Sequence, residues 1–226
     1  MKYNNIRAAK FISRPNRFIA NIEIDGVREI CHVKNTGRCR ELLTESADIY
    51  VQEFDNSNRK TKYDLISVFK GERLINMDSQ VPNKVFHELL LSGRLFSNIA
   101  HIRPECRYKN SRFDFYVEAD NKKIFIEVKG VTLEEDGVVM FPDAPTERGL
   151  KHLHELGDSI DEGYEAYVCF IVQMKDVSYF TPNYKTHREF GETLKSIREK
   201  GVKIIAFDCE IQKDSIGARD TVDIIL

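Results

Sequence analysis

The segment SRFDFYVEADNKKIFIEVKG, Ser111–Gly130, decides how the chain is read. Its two runs, Arg112–Glu118 and Lys123–Lys129, alternate apolar and polar residues with period two, and Asp120-Asn121 between them is turn chemistry, so a tight β-hairpin is predicted. Centring the turn between Asp120 and Asn121 sets Phe113 opposite Val128, Phe115 opposite Ile126 and Val117 opposite Ile124 on an apolar face. The other face then pairs Arg112 with Lys129, Asp114 with Glu127, Tyr116 with Phe125 and Glu118 with Lys123. A slip of one residue would spoil both faces, which specifies the register.

Directly opposed carboxylates have Cβ atoms roughly 5 Å apart and repel, so Asp114 and Glu127 need a compensating charge. One source is a solvent-exposed ladder in which Arg112 neutralises Glu127 diagonally and Lys129 neutralises Asp114. The other is a divalent cation, because Mg²⁺ is held by one or two carboxylates and leaves its remaining positions to water and phosphate. Lys129, on the same side of its strand as Glu127, would then face the phosphate or the attacking water. The hairpin alone leaves both readings open.

The chain has 226 residues, enough for one long domain or two small ones, with 42% hydrophobic and 31% charged residues. No run of about 18 apolar residues is present, and the opening MKYNNIRAAKFIS lacks the apolar core of a signal peptide, so a cytoplasmic protein with no membrane partner is expected. The five cysteines, Cys31, Cys39, Cys106, Cys169 and Cys209, are odd in number and show no Cys-x-x-Cys spacing. This argues for buried thiols rather than disulfides or structural zinc. The net charge of −2 is unevenly spread: residues 1–62 carry 12 Lys and Arg against 8 Asp and Glu. A basic front end joined to an acidic body fits a nucleic-acid contact surface.

Residues 1–80 are read as one unit and 81–226 as a second. In the first, FIANIEID, REICHVK, DIYVQEF and DLISVF are short strands separated by Gly, Asn and Asp, with only Arg38–Leu43 resembling a helical turn. Such a set suggests a small barrel of the oligonucleotide-binding (OB) kind. Arg14, Arg17, Arg38, Arg40, Arg59 and Lys60 cluster in its turns near Phe11, Phe18 and Tyr63, as a phosphate-tracking surface would require. The aromatics are each equally compatible with core positions.

The second unit opens with VPNKVFHELLLSG, a helix with Pro82 at its start, Val85, Phe86, Leu89 and Leu90 on one stripe, and Gly93 as its stop. Glu88 lies at the edge of the buried face, where it either reaches towards the hairpin or stays in water. After the hairpin, GVVMFPD reads as a third strand. APTERGLKHLHELGDSIDEG follows as a helix capped by Asp143 or Thr146, with Arg148, Lys151, His152 and Glu155 on one face near an anion-favouring N-terminus. That face is either a phosphate contact or a solvated surface. YEAYVCFIVQM is a buried central strand, HREFGETLKSIREKG an amphipathic helix, and KIIAFDCEI and TVDIIL are closing strands. The expected class is α+β or α/β: an OB-like barrel followed by a mixed sheet covered by helices.

An Asp followed by Glu-x-Lys on a hairpin between helices resembles the PD-(D/E)xK nuclease superfamily. More narrowly, RFIANIEIDG, HVKNTGRCRELL, PNKVFHELL, SRFDF, IEVKGVTL, FPDAPTERGLKHLHEL and GVKIIAFDCEI, in that order, resemble the sugar fermentation stimulation protein family. Val33-Lys34 stands where that family often has Cys-Pro, and Leu150 stands at a position expected to be polar in some relatives. The resemblance implies a DNA-binding protein and nuclease. Asp114, Glu127 and the Val128 carbonyl would hold Mg²⁺ or Mn²⁺, Lys129 would be the catalytic lysine, and Glu88 would complete the site through water. Arg148, Lys151 and His152 would contact phosphate. Nucleic acid, DNA or RNA, is the expected partner, with a homodimer left open. The alternative is a non-catalytic DNA-binding regulator of sugar-metabolism genes on a nuclease-like scaffold. A small-molecule hydrolase ranks last, because no glycine-rich phosphate loop or nucleophile elbow is present.

Overall fold

The computed structural model describes residues 1–56 and 58–226. Strands β1 (Ile6–Ser13), β2 (Ile19–Ile24), β3 (Val27–Val33), β4 (Asp48–Glu53) and β5 (Tyr63–Lys70) form a ring in the order β1-β2-β3-β5-β4. The parallel contact of β3 with β5, from Cys31↔Tyr63 to Val33↔Leu65, closes it into a five-stranded barrel of OB topology. Alternation drives the closure: Ala20, Ile22 and Ile24 of β2 face inward while Glu23 faces out. β6 (Arg73–Asn76) folds back on β5. β1 was not among the runs singled out in the sequence, since only Ala9 and Phe11 of IRAAKFIS are buried. The helical turn expected at Arg38–Leu43 is a single turn closed by the Leu43 N–H on the Cys39 carbonyl (2.9 Å). Cys39 sits at φ +45°, where a right-handed helix cannot propagate.

The second unit runs α1 (Val81–Leu91), β7 (Ile99–Tyr108), β8 (Ser111–Ala119), β9 (Lys122–Val131), β10 (Leu133–Glu135), β11 (Val138–Phe141) and α2 (Glu147–Asp161). It continues with β12 (Glu165–Val172), β13 (Tyr179–Pro182), α3 (Arg188–Glu199), β14 (Lys203–Gln212) and β15 (Ser215–Thr221). The main sheet has the order β15-β14-β12-β9-β8-β7 and is mixed, with β9, β12 and β14 parallel. On β12, Tyr167, Cys169 and Ile171 pack with Phe86 and Leu89 of α1, whereas Val168, Phe170 and Val172 pack with Leu153 of α2 and Leu194 of α3. A strand covered on both faces is apolar throughout, which explains the unbroken run YVCFIV.

Three expectations are corrected. The run GVVMF is β11, which joins β10 and β13 in a separate three-stranded sheet instead of the central one. The edge of the main sheet is β7, whose mostly exposed residues gave it no strand-like alternation. The last strand is Ser215–Thr221, and of the tail beyond it Ile224 makes an isolated bridge to Phe180. At the other end, Lys2 bridges Ser215 and the Tyr3 N–H donates to the Asp214 carbonyl (2.8 Å), so the first residues lie along the main sheet. All five cysteines are buried and unpaired. Among the described residues no helix is long and apolar enough to cross a membrane.

The barrel and the sheet meet beside the ends of β9 and β12. Gln173 Nε2 donates to the Asn76 carbonyl (3.1 Å), its Oδ1 (3.0 Å) and the Asp78 carbonyl (3.1 Å), while Ser79 Oγ donates to the Lys34 carbonyl (2.8 Å). Gly130 is required here: a Cβ would stand 2.5 Å from Gln173 Oε1 and 2.6 Å from Pro82 Cγ.

Candidate active site

The hairpin pairs as its alternation predicts at Phe115↔Ile126, Tyr116↔Phe125, Val117↔Ile124 and Glu118↔Lys123. Beyond Phe115 and Ile126 the ladder stops, so the expected pairs at Asp114, Phe113 and Arg112 do not form. Asp114 fills the opening: its Oδ2 accepts the Val128 N–H (2.7 Å) and its Oδ1 accepts Asn83 Nδ2 of α1 (2.8 Å). Phe113 leaves the Phe115 side and packs against Phe125, with ring centroids 5.2 Å apart. The strand end is therefore remodelled by a side chain that replaces a ladder bond.

Glu127 is 2% exposed. Its Oε1 accepts from Lys129 Nζ (2.5 Å) and meets His152 Nδ1 of α2 (2.5 Å). Its Oε2 is buried without a hydrogen-bond partner. The two carboxylates are thus held from opposite layers, Asp114 by α1 and Glu127 by α2. The diagonal ladder is not formed, because Lys129 pairs with Glu127 and Arg112 with Glu105 (2.7 Å).

Charge follows from these contacts. Burial and the facing Glu127 push the Asp114 carboxyl up to about 6, against the pull of the Val128 N–H, Asn83 and Lys129. Burial would raise Glu127 as well, but Lys129 and His152 outweigh it and hold that carboxyl below its ordinary range. Two acids with opposite displacements and one bare, buried oxygen form a site that lacks positive charge on one side. No group of three His, Cys, Asp or Glu side chains suited to a metal occurs among the described residues. The donor set is two carboxylates and backbone oxygen, which suits a hard, oxygen-seeking ion that keeps several waters.

On α2, Thr146 is the cap, its Oγ1 accepting the Gly149 N–H (3.0 Å), and Asp143 is not. The polar face read from the sequence splits. Arg148 and Lys151 are exposed and line an open cleft of about 590 Å³ with Arg107 and Arg112, whereas His152 and Glu155 are buried. Lys151 Nζ donates to the Asn110 carbonyl (2.8 Å), and Arg148 Nε lies 3.5 Å from His152 Nε2. Arg107 stands opposite Arg112 in the β7–β8 ladder, a like-charge pair at the cleft mouth. Sequence reasoning missed Arg107, whose strand it did not recognise, and Asn83, whose role exists only once α1 docks on β8.

Other expected site residues are placed elsewhere. Glu88 does not approach Asp114 or Glu127; it ion-pairs with the N-terminal amine of Met1 (2.6 Å), which also reaches the Ile216 carbonyl of β15. Five positions separate it from Asn83, which puts it on a different side of α1. Arg14 is no free phosphate ligand, since its guanidinium is spent on four backbone carbonyls. Arg59 pairs with the buried Asp64 and lies 3.9 Å over the Phe54 ring. Arg17, Arg38 and Arg40 line a common pocket, and Lys60 is exposed. Phe11 and Tyr63 are core, and Phe18 is 55% exposed.

An OB barrel joined to a helix-covered mixed sheet, with Asp114 on one arm of a hairpin and Glu127-x-Lys129 on the other, defines a protein of the PD-(D/E)xK nuclease-like fold. The chain belongs to the sugar fermentation stimulation protein family: that family's RE domain matches residues 80–215 and its N-terminal OB domain residues 12–77. Sugar fermentation stimulation protein homologues of Clostridium beijerinckii and Desulfitobacterium hafniense are each 64% identical over 226 residues, covering all of this chain and 100% and 99% of theirs. The solved structure of Pyrococcus furiosus SfsA in complex with Ca²⁺ is similar across 100% of this chain and 98% of that one, at 28% identity and a TM-score of 0.90.

Proposed function

We propose that the protein is a metal-dependent nuclease that hydrolyses phosphodiester bonds in nucleic acid. The observation that carries this reading is the buried, unpartnered Glu127 Oε2 beside Asp114, a pair of acids whose repulsion a divalent ion would relieve. The Ca²⁺ in the Pyrococcus relative supports an oxygen-ligated divalent site in this fold. Asp114, Glu127 and the Val128 carbonyl would hold Mg²⁺ or Mn²⁺. When bound, such an ion polarises a phosphoryl oxygen and lowers the pKa of water.

The chain's own groups do the rest. His152 and Lys129 both occupy Glu127 Oε1, which leaves Oε2 as the oxygen free to ligate. A His152 ring carrying its proton on Nδ1 donates to Glu127 and presents Nε2 to Arg148, so it acts as a positioning residue. Lys129 Nζ, a three-proton donor, turns towards the developing negative charge of the phosphate. Arg148, Lys151, Arg107 and Arg112 bind the flanking backbone. Glu88 has no part in this scheme.

The test uses purified protein with Mn²⁺ and labelled single- and double-stranded DNA and RNA. Turnover is expected to fall at least a hundredfold in Glu127→Gln and Lys129→Ala and to persist in Glu88→Gln. Undiminished cleavage by the first two variants rejects the assignment, and nucleic-acid binding without cleavage by the parent leaves a regulator instead.

A further inference from the structure

We propose that the junction of barrel and sheet holds a second anchoring site, for the backbone of a single nucleic-acid strand leading into the α2 cleft; this rests on the nuclease reading above. Arg14 builds it. Its Nη1 donates to the carbonyls of Gly37 (2.8 Å) and Arg38 (3.0 Å), and its Nη2 to those of Arg17 (2.7 Å) and Asn35 (2.6 Å). One guanidinium thereby ties the β1–β2 loop to the β3–β4 loop. The tied loops carry Arg17, Arg38 and Arg40, all exposed, around a concave pocket of about 360 Å³.

None of these three arginines has an ion-pair partner among the described residues, whereas other barrel cations do: Arg7 with Asp25 and Glu53, Lys10 with Asp48, and Lys62 with Glu53. Like charges gathered in a concavity without counter-charge raise the local potential for anions. Beside them stands Phe18, one of the few exposed large apolar residues. Its position is fixed, because Asn16 Oδ1 accepts the N–H groups of Phe18 (2.9 Å) and Ile19 (3.0 Å). Cations that track a backbone, with a rigid exposed ring for a base, are how proteins hold unpaired strands. Duplex readers instead insert a protruding helix or ribbon into a groove, and this surface is a hollow.

The hollow also belongs to the second unit. Ala144 lines it, two residues before the Thr146 cap and four before Arg148. Even a fully extended chain spans only about 14 Å over four residues, so the pocket and the α2 cleft lie within one short stretch of strand. A substrate reaching both places its scissile phosphate in the cleft and its flank on the barrel.

The experiment is fluorescence anisotropy of the full-length protein in EDTA, with labelled 20-nucleotide dT and U strands and a 20-base-pair DNA duplex, across a salt series. The Arg38→Ala/Arg40→Ala pair is expected to weaken binding of single strands at least tenfold and to flatten the log–log salt slope by about 1.4. Phe18→Ala is expected to weaken single strands roughly tenfold and the duplex less than twofold. Parent-like affinity in the arginine pair, with circular dichroism unchanged, overturns the site. Tighter binding of duplex than of either single strand by the parent overturns the strand class. Because EDTA suppresses turnover, arginine-dependent binding by a protein that never cleaves would preserve the anchor and sink only the nuclease reading.

Discussion

Replacing Asp114 with Asn isolates the electrostatics of the site. In the metal-free protein the Asp114 carboxyl titrates near 6 rather than 3.8, raised by burial and by Glu127. A raised acid means that the folded state binds more protons than the unfolded state between those values, so stability falls as pH rises through the window. The contribution is intact below about pH 3.8 and fully lost above about pH 6. At roughly 1.4 kcal/mol per pH unit, the penalty on the ionised form is about 3 kcal/mol. Asn mimics the protonated acid and does not titrate. Urea unfolding of parent and Asp114→Asn in EDTA is therefore expected to show a stability difference that moves by about 3 kcal/mol in favour of the variant between pH 4 and pH 8. Saturating Mn²⁺ should erase that gain by stabilising the parent alone. A difference that stays level across the range, or moves the other way, refutes the account of two acids repelling in a buried site.

His152→Asn keeps a donor at the position of Nδ1 and is expected to retain most Mn²⁺ affinity, whereas His152→Leu should lose about tenfold, measured by calorimetry. Gly130→Ala drives a methyl group into Gln173 and Pro82 and should cost about 1–3 kcal/mol in thermal or urea unfolding. If Gly130→Ala unfolds like the parent, the tight junction beside Lys129 is misdescribed.

Much of the fold was legible in local pattern. The hairpin register came from alternation alone, since only one pairing keeps Phe115, Val117, Ile124 and Ile126 on the same side. The buried run of β12 and the stripe of α1 followed from the same hydrophobic logic. β7 and β1 escaped because edge or half-exposed strands carry little alternation to read. Arg38–Leu43 misled because its polar and apolar spacing suits a helix while Cys39 adopts a positive φ.

For the site, composition and spacing named Asp114, Glu127 and Lys129 but could not assign their partners. A ladder contact between neighbouring strands is nearly local, and a sequence can encode it through burial. The Asn83–Asp114 and His152–Glu127 contacts join residues 31 and 25 positions apart, and they arise only when α1 and α2 dock on opposite faces of one sheet. The same holds for Glu88, drawn to the chain's own amino terminus, and for Arg14, consumed by carbonyls of two loops. Sequence determined which side chains are buried and which strands pair, because the hydrophobic effect acts through periodicity. Only the packed structure decided which oxygen of Glu127 is left bare, because hydrogen-bond partnership depends on where distant elements come to rest.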